Sequence, residues 1–265
     1  MLRHARAFML GKGFWTERTV PLADVETALG LMRPVDASIP LRRLGGAVGG
    51  GYLVPDDLDG IAACISPGTY TECHFDAALA DLGIPVFIAD ARVDGPPAPH
   101  PLFHFTRRSF DTYADDMRVT FDGFCAAVAP AEGDLILDMD IEGAEYRVLA
   151  SVSDALLSRF RIMTIEFHHL GNLHTPLGLE EIGAVFRRLS RTHAIVHVHP
   201  NNAVPPVERG GIAIPPVMEF TFLRRDRARF TPAAGPYPHP LDVRVEDHLP
   251  DFALPACWYG QGAAR

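Results

Sequence analysis

Apolar runs of strand length alternate along the chain with stretches whose apolar residues recur at helical spacing. "IAACIS" (61–66), "IPVFIAD" (84–90), "LFHFTRR" (102–108), "DLILDMD" (134–140), "RIMTIEF" (161–167) and "HAIVHVH" (193–199) are short and apolar, which predicts strands. Between them, "CHFDAALADL", "RVTFDGFCAAVA", "EGAEYRVLASV" and "LEEIGAVFRRLS" carry helical spacing. A seventh run, "PPVMEFTFLRR", follows a Pro and Gly stretch and predicts an antiparallel strand at the sheet edge. Strands alternating with helices of this length build a parallel sheet covered on both faces. The expected fold is therefore α/β, an open doubly wound sheet of about seven strands.

The flanks read differently. "PLADVETALGLM" predicts a separate helix, and the glycines of "RRLGGAVGGGYLV" predict a hairpin turn. From "TPAAGPYPHPLD" onward proline is too frequent for regular structure, so this tail is expected to wrap the surface. The division that follows is a helical extension over 1–40, a main domain over 41–230 and a tail over 231–265 packed on it.

Composition narrows the partners. A formal charge of −9 argues against a nucleic-acid backbone, which needs a concentrated basic surface. The four cysteines show no C-x-x-C spacing, so neither a structural zinc site nor a disulfide framework is expected, and a reducing cytoplasm fits. The apolar stretch of "MLRHARAFMLGKGFW" is short for a signal segment, and no later run approaches a membrane span. Oligomeric state is not readable.

Open α/β sheets bind ligands beyond the carboxyl ends of their strands. The polar residues there are Ser66, Asp90, Asp138 with Asp140, Glu166 with His168, and His197 with His199. Side chains two apart on a strand share a face, so each of these pairs projects to one side and brings carboxylates and imidazoles to a common rim. Other roles compete. An acid at a strand end often caps the next helix, and Glu142 and Glu145 stand where first-turn acids favour the helix dipole.

The loop "SPGTYTE" joins the first strand to a helix N-terminus, where Gly68 allows close backbone approach and free amides can receive a carboxylate or phosphate. No G-x-G-x-x-G stands here, which disfavours NAD. Asp90, closing the second strand, is placed to accept both hydroxyls of an adenosine ribose.

Four motifs now carry a resemblance. "LDMDIEGAEYRVL", "MTIEFHHL", "HVHPNN" and "IPPVMEFTFLRRDR" resemble, in order and separation, the FkbM-type family of S-adenosylmethionine-dependent methyltransferases, with D-I-E-G-A-E the most specific phrase. "SPGTYTECHFDAALADLGIPVFIADA" is similar to its cofactor loop and "LRRLGGAVGGGYLVPDD" to its N-terminal approach, so the resemblance spans about Leu41 to Arg227. It implies the class I methyltransferase (Rossmann-like) sheet, S-adenosylmethionine as cofactor, and O-methylation of a small molecule, sugar or glycan. By the resemblance Ser66, Gly68, Asp90 and Asp140 are the cofactor contacts. Two departures stand out: Asp138 replaces a lysine common in the family, and "GGGY" (49–52) replaces an Asp-Gly-Gly-Tyr run.

Methyl transfer to an alcohol needs an aligned donor and acceptor and a group that takes the hydroxyl proton. Asp140, Glu166, His168 and His199 are the candidates. In one version a histidine, His168 or His199, is the base and a carboxylate orients its ring. In the other, Asp138, Asp140, Glu166 and His168 hold a divalent ion, Mg2+ or Mn2+, that acidifies the bound hydroxyl. Asn201 and Asn202 suit a hydroxyl-rich acceptor, and "FHHLGNLHTPLG" is placed to form a loop over the site. Two rivals share these residues: a non-catalytic binding protein on the same sheet, and a metal-dependent hydrolase.

Overall fold

In the computed structural model, which describes residues 9–12, 17–46, 50–69 and 72–260, each of the seven apolar runs becomes a strand of one sheet. In chain order the elements are helix α1 (Leu22–Gly30), strands β1 (Val35–Asp36), β2 (Leu41–Leu44), β3 (Tyr52–Pro55) and β4 (Ile61–Pro67), and helix α2 (His74–Asp81). Strands β5 (Val86–Ala89), β6 (Phe103–Thr106), β7 (Ser109–Phe110) and β8 (Arg118–Val119) follow, then helix α3 (Phe121–Val128), strand β9 (Asp134–Met139) and helices α4 (Glu145–Ser151) and α5 (Asp154–Leu157). The chain continues through strand β10 (Phe160–Phe167), helix α6 (Pro176–Leu189) and strands β11 (His193–Pro200), β12 (Val207–Arg209), β13 (Ile212–Ile214), β14 (Met218–Arg224) and β15 (Thr231–Pro232). Gly49 of the glycine run and Tyr70 and Thr71 of the cofactor loop lie outside the described residues, as do 1–8, 13–16 and 261–265 of the two flanks.

Helix starts follow from local chemistry. Thr120 accepts the Gly123 N–H ahead of α3, and Thr175 accepts the Gly178 N–H ahead of α6, whose first residue is Pro176.

The sheet order is β11–β14–β10–β9–β4–β5–β6. The run from β10 to β6 is parallel, while β14 is antiparallel to both of its neighbours. The expected edge position of β14 is corrected: it is inserted between β10 and β11, leaving β11 and β6 as the edges. The reason is burial on both faces, since Met218, Phe220 and Phe222 pack into one core and Leu223 into the other. A strand this apolar at an edge would expose a row of unpaired backbone groups.

The two faces differ in a way that creates the site. On one face Ile65, Leu137, Met139, Ile165, Phe167, Phe220 and Phe222 stay apolar to the strand ends, in a core shared with residues of α1, α3, α4 and α6. On the other face the level of Cys64, Ile136, Ile162 and Leu223 is apolar and covered by α2 and the β2–β3 hairpin. One level further along the strands stand Asp138, Thr164, Thr221 and His197, paired in register. The next level carries Glu166, Glu219 and His199, with Asp140 one step beyond the Met139–Ile165 pair. The hairpin is pinned over this polar zone by Thr221 Oγ1, which donates to the Leu53 carbonyl at 2.7 Å.

The described tail does more than wrap the surface. β15 pairs with β1, Asp242 reaches His197 on β11, and Trp258 is fully buried with its indole N–H donating to Ala213 O at 2.9 Å. Proline content prevents helix or long strand, yet single aromatic anchors still find the core. Among the described residues no helix is long and apolar enough to cross a membrane.

Candidate active site

Three loops meet at the carboxyl ends of β4, β5 and β9. Gly68 follows β4 with φ +87°, and a Cβ built there would lie 1.7 Å from Asp140 O, so only glycine lets the two backbones meet. Two cavities open on either side of this contact, of about 150 Å³ and 230 Å³, and Gly68 and Glu142 line both.

The smaller cavity is bounded by Asp90, Arg92, Phe110 and Ile141. Asp90 is buried at 4% exposure and accepts the Thr69 N–H at 3.2 Å. Its carboxylate is also gripped by Arg92, Nε to Oδ1 at 3.1 Å and Nη2 to Oδ2 at 2.9 Å, and the same guanidinium reaches Glu142 Oε1 at 3.1 Å. That fork uses the two-point geometry a vicinal diol would need. The hydrogen bond with Asp90 raises the Arg92 pKa despite partial burial.

At the far side stands His168, just past the end of β10. Its Nδ1 is 3.1 Å from Glu145 Oε1, and Nε2 faces Glu142 Oε2 at 3.4 Å, Glu166 Oε2 at 3.7 Å and Asp140 Oδ1 at 3.8 Å. Glu145 Oε1 also accepts the backbone N–H groups of Ile141 and Gly143. The turn that makes this possible is tight: Glu142 has φ +57° and Gly143 φ +95°, where a Cβ on Gly143 would meet the His169 ring at 2.8 Å.

Electrostatics follow from this crowding. Burial alone would lower the His168 pKa, but the bond to Glu145 and the charges of Glu145, Glu166 and Asp140 push it up to about 9. Burial pushes Asp140 up to about 6 against the opposing pull of His168. Glu166 is pushed up to about 8 by burial and by Asp140 and Glu219, although Asn201 donates to its Oε1 at 2.9 Å. Glu145 goes the other way, because the His168 bond and charge outweigh its burial.

The remaining sequence candidates are placed as follows. Asp140, Glu166 and His168 converge. Ser66 is buried and donates to Asp76 Oδ2 at 3.1 Å. Asp138 lies one level deeper, accepting from Thr164 Oγ1 at 3.0 Å, and Glu142 rather than Asp138 joins Asp140 and His168 in the group whose ligand atoms lie within 4.8 Å of one another. His199 is buried with Nδ1 3.1 Å from Glu219 Oε2, and His197 pairs with Asp242 of the tail. Of the two asparagines, Asn201 faces Glu166, whereas Asn202 donates to the Glu246 and Leu249 carbonyls and anchors the tail. The "FHHLGNLH" segment is not a free loop, since Leu170 and Leu173 are fully buried.

Arg92, Glu219 and Asp76 carried no expectation from the sequence, and Glu145 carried a different one. Arg92 carries no local signal beyond standing two residues after Asp90. Glu145 reads as a helix-dipole acid, and only the fold reveals its imidazole partner. Glu219 was visible in principle as a lone acid among Met218, Phe220 and Phe222, and Asp76 as an acid on the helix face shared with Leu79 and Ala80.

Residues 87–190 match the family model described as the Methyltransferase FkbM domain. The match runs from β5 to the end of α6, so it includes Asp90, Arg92, the Asp138–Glu145 turn, Glu166 and His168. The resemblance read from the motifs is thereby shown over this stretch. No curated protein matches the chain.

Proposed function

We propose that this chain, which carries an FkbM-type methyltransferase domain, moves a methyl group from S-adenosylmethionine to a hydroxyl of a sugar, glycan or secondary metabolite. The observation that carries the reading is the Gly68–Asp140 contact, which leaves open backbone between Asp90 on one side and the acid and histidine cluster on the other. The residues present fit the cofactor: Asp90 offers a carboxylate for the ribose once Arg92 yields it, and Asp140 and Glu142 set negative charge along the cleft. When bound, S-adenosylmethionine supplies a methyl group on a positively charged sulfur for in-line displacement.

Asp140, pushed up to about 6, is largely ionised near neutral pH and suited to take the acceptor's proton, whereas Glu166, pushed up to about 8, holds a proton there and serves as a base only on the alkaline side. His168 holds them as an imidazolium oriented by Glu145, and becomes a base itself once it gives up its proton. His199 and Glu219 form the next pair in the same row and set its charge. Asn201 orients Glu166 and is available to a hydroxyl-rich acceptor.

A second reading rests on one further observation. Asp140, Glu142 and His168 place ligand atoms within 4.8 Å of one another, and the other ring nitrogen of His168 is held by a carboxylate, as in many metal-bound histidines. A divalent ion there would polarise the acceptor hydroxyl.

The test is a calorimetric titration of S-adenosylmethionine into the chelated protein and again with magnesium or manganese restored. Micromolar binding, about −8 kcal/mol, supports the cofactor, and a change on restoring the ion favours the metal reading. No binding in either condition would leave a non-catalytic binding scaffold or a hydrolase.

A further inference from the structure

Helix α2 carries Asp76 on the same face as Phe75, Leu79 and Ala80, which pack on the sheet. Asp76 is accordingly buried at 2% exposure. Its Oδ2 accepts from Ser66 at 3.1 Å, while Oδ1 is buried with no hydrogen-bond partner among the described residues. Asp138 stands nearby on β9, one step beyond the Ile65–Leu137 pair that joins β9 to β4. Both acids line the cavity of about 230 Å³ under the β2–β3 hairpin, together with Glu72, Asp140 and Glu142, and the lining holds no lysine or arginine.

Neither Asp76 nor Asp138 forms an ion pair among the described residues. Asp76 is a buried carboxyl and Asp138 a half-buried one, and acids so placed without a cation are costly to the chain that carries them. Hydrophobic residues of the same size would remove that cost, so a ligand that supplies the missing positive charge gives a physical reason for both. Tyr52 adds a hydroxyl to the same cavity. The volume is small, and the lining offers oxygen acceptors rather than an aromatic cage, which selects a compact donor of several hydrogen bonds over a quaternary ammonium.

We infer that this cavity is an ammonium pocket in which Asp76 and Asp138 receive the –NH3+ group of a ligand. Two sources share that chemistry. One is the amino-acid end of S-adenosylmethionine, which rests on the function proposed above and is consistent with Gly68 and Glu142 lining both cavities. The other is an amine-bearing acceptor such as an aminosugar.

The experiment compares the intact protein with Asp76→Asn and Asp138→Asn, which keep side-chain shape and remove charge. S-Adenosylhomocysteine, which carries the ammonium, and 5′-methylthioadenosine, which lacks the amino-acid end, are titrated into each. Thermal melts establish that the variants are folded, and either variant alone suffices if the other is not.

A cofactor source predicts that each substitution weakens S-adenosylhomocysteine by about tenfold or more, the loss typical of a charge-assisted bond, with 5′-methylthioadenosine unchanged. An acceptor source predicts unchanged affinity for both nucleosides, with binding of glucosamine but not glucose to the wild type and loss of glucosamine binding in the variants. If neither S-adenosylhomocysteine nor glucosamine responds to either substitution, the ammonium pocket is overturned. Failure of the wild type to bind either nucleoside would instead sink the cofactor reading, and the glucosamine comparison would then decide the pocket by itself.

Discussion

His168 Nδ1 and Glu145 Oε1 stand 3.1 Å apart across 23 residues of sequence. Glu145 opens α4 and His168 directly follows β10, and the contact forms because β9 and β10 are parallel neighbours whose loops leave the sheet at the same rim. Glu145 is fully buried, and its Oε1 gathers two backbone N–H groups as well as the imidazole. The ring orientation is therefore set by a turn that the D-I-E-G-A-E motif itself builds, and Nε2 is left facing the acids. Glu145→Gln keeps the shape and removes the charge, so the His168 pKa measured by NMR titration is expected to fall from about 9. An unchanged value would assign the raised pKa to Asp140 and Glu166 alone.

Stability should fall on the alkaline side. His168 is raised from 6.5 to about 9 and Glu166 from 4.5 to about 8, so between those values the folded chain binds more protons than the unfolded one. Their contributions are complete below the unfolded values and are lost as pH rises through the folded ones. The melting temperature is expected to drop from pH 4.5 to pH 8 through Glu166 and from pH 6.5 to pH 9 through His168, and His168→Gln should flatten the upper part of that drop. Glu145 has the opposite sign: its lowered pKa gives stability above the ordinary 4.5 that is lost in acid.

Asp140→Ala and His168→Ala are each expected to abolish turnover, followed as release of S-adenosylhomocysteine over a panel of sugars, while the melting transition stays cooperative. Near-wild-type rates in both would remove this cluster from the reaction.

Arg92 occupies the Asp90 carboxylate that is proposed to hold the ribose. Removing a half-exposed ion pair of this kind frees about 1 kcal/mol, so Arg92→Met is expected to tighten S-adenosylmethionine about fivefold. Asp90→Ala should weaken it by about tenfold or more, since it deletes a charge-assisted acceptor. Weaker binding by Arg92→Met would mean that the guanidinium contacts the cofactor instead of competing with it.

Gly68→Ala tests the backbone contact. The positive φ and the 1.7 Å approach to Asp140 O leave no room for a methyl group, and about 3 kcal/mol of strain or displacement is expected. Urea unfolding would report the loss, and calorimetry would report loss of cofactor binding alongside it.

Trp258→Ala should cost about 3–5 kcal/mol, because it empties a fully buried site and orphans the Ala213 carbonyl. A change below about 1 kcal/mol, within the range of ordinary surface substitutions, would show that the tail adds little to the fold.

Much of the architecture was legible in the chain alone. Short continuous apolar runs mark every strand of the seven-stranded sheet, and apolar spacing near four marks the helices between them, because a strand buried on both faces needs apolar residues throughout whereas a helix needs them on one face only. The same logic put Asp140, Glu166 and His168 at strand ends, where a parallel sheet gathers its ligands. What the tertiary structure decided is which of these side chains meet. Insertion of β14 between β10 and β11 brings Glu219 level with Glu166 and His199, and strand order among non-consecutive strands depends on two-faced burial, which no local window contains. Arg92 folds back onto Asp90, Glu145 exchanges a helix-dipole role for an imidazole, and Asp76 crosses from a helix to a strand-end serine. Each of these contacts is set by side-chain direction and by how far apart sheet and helix lie after packing, and those distances exist only once the core has closed.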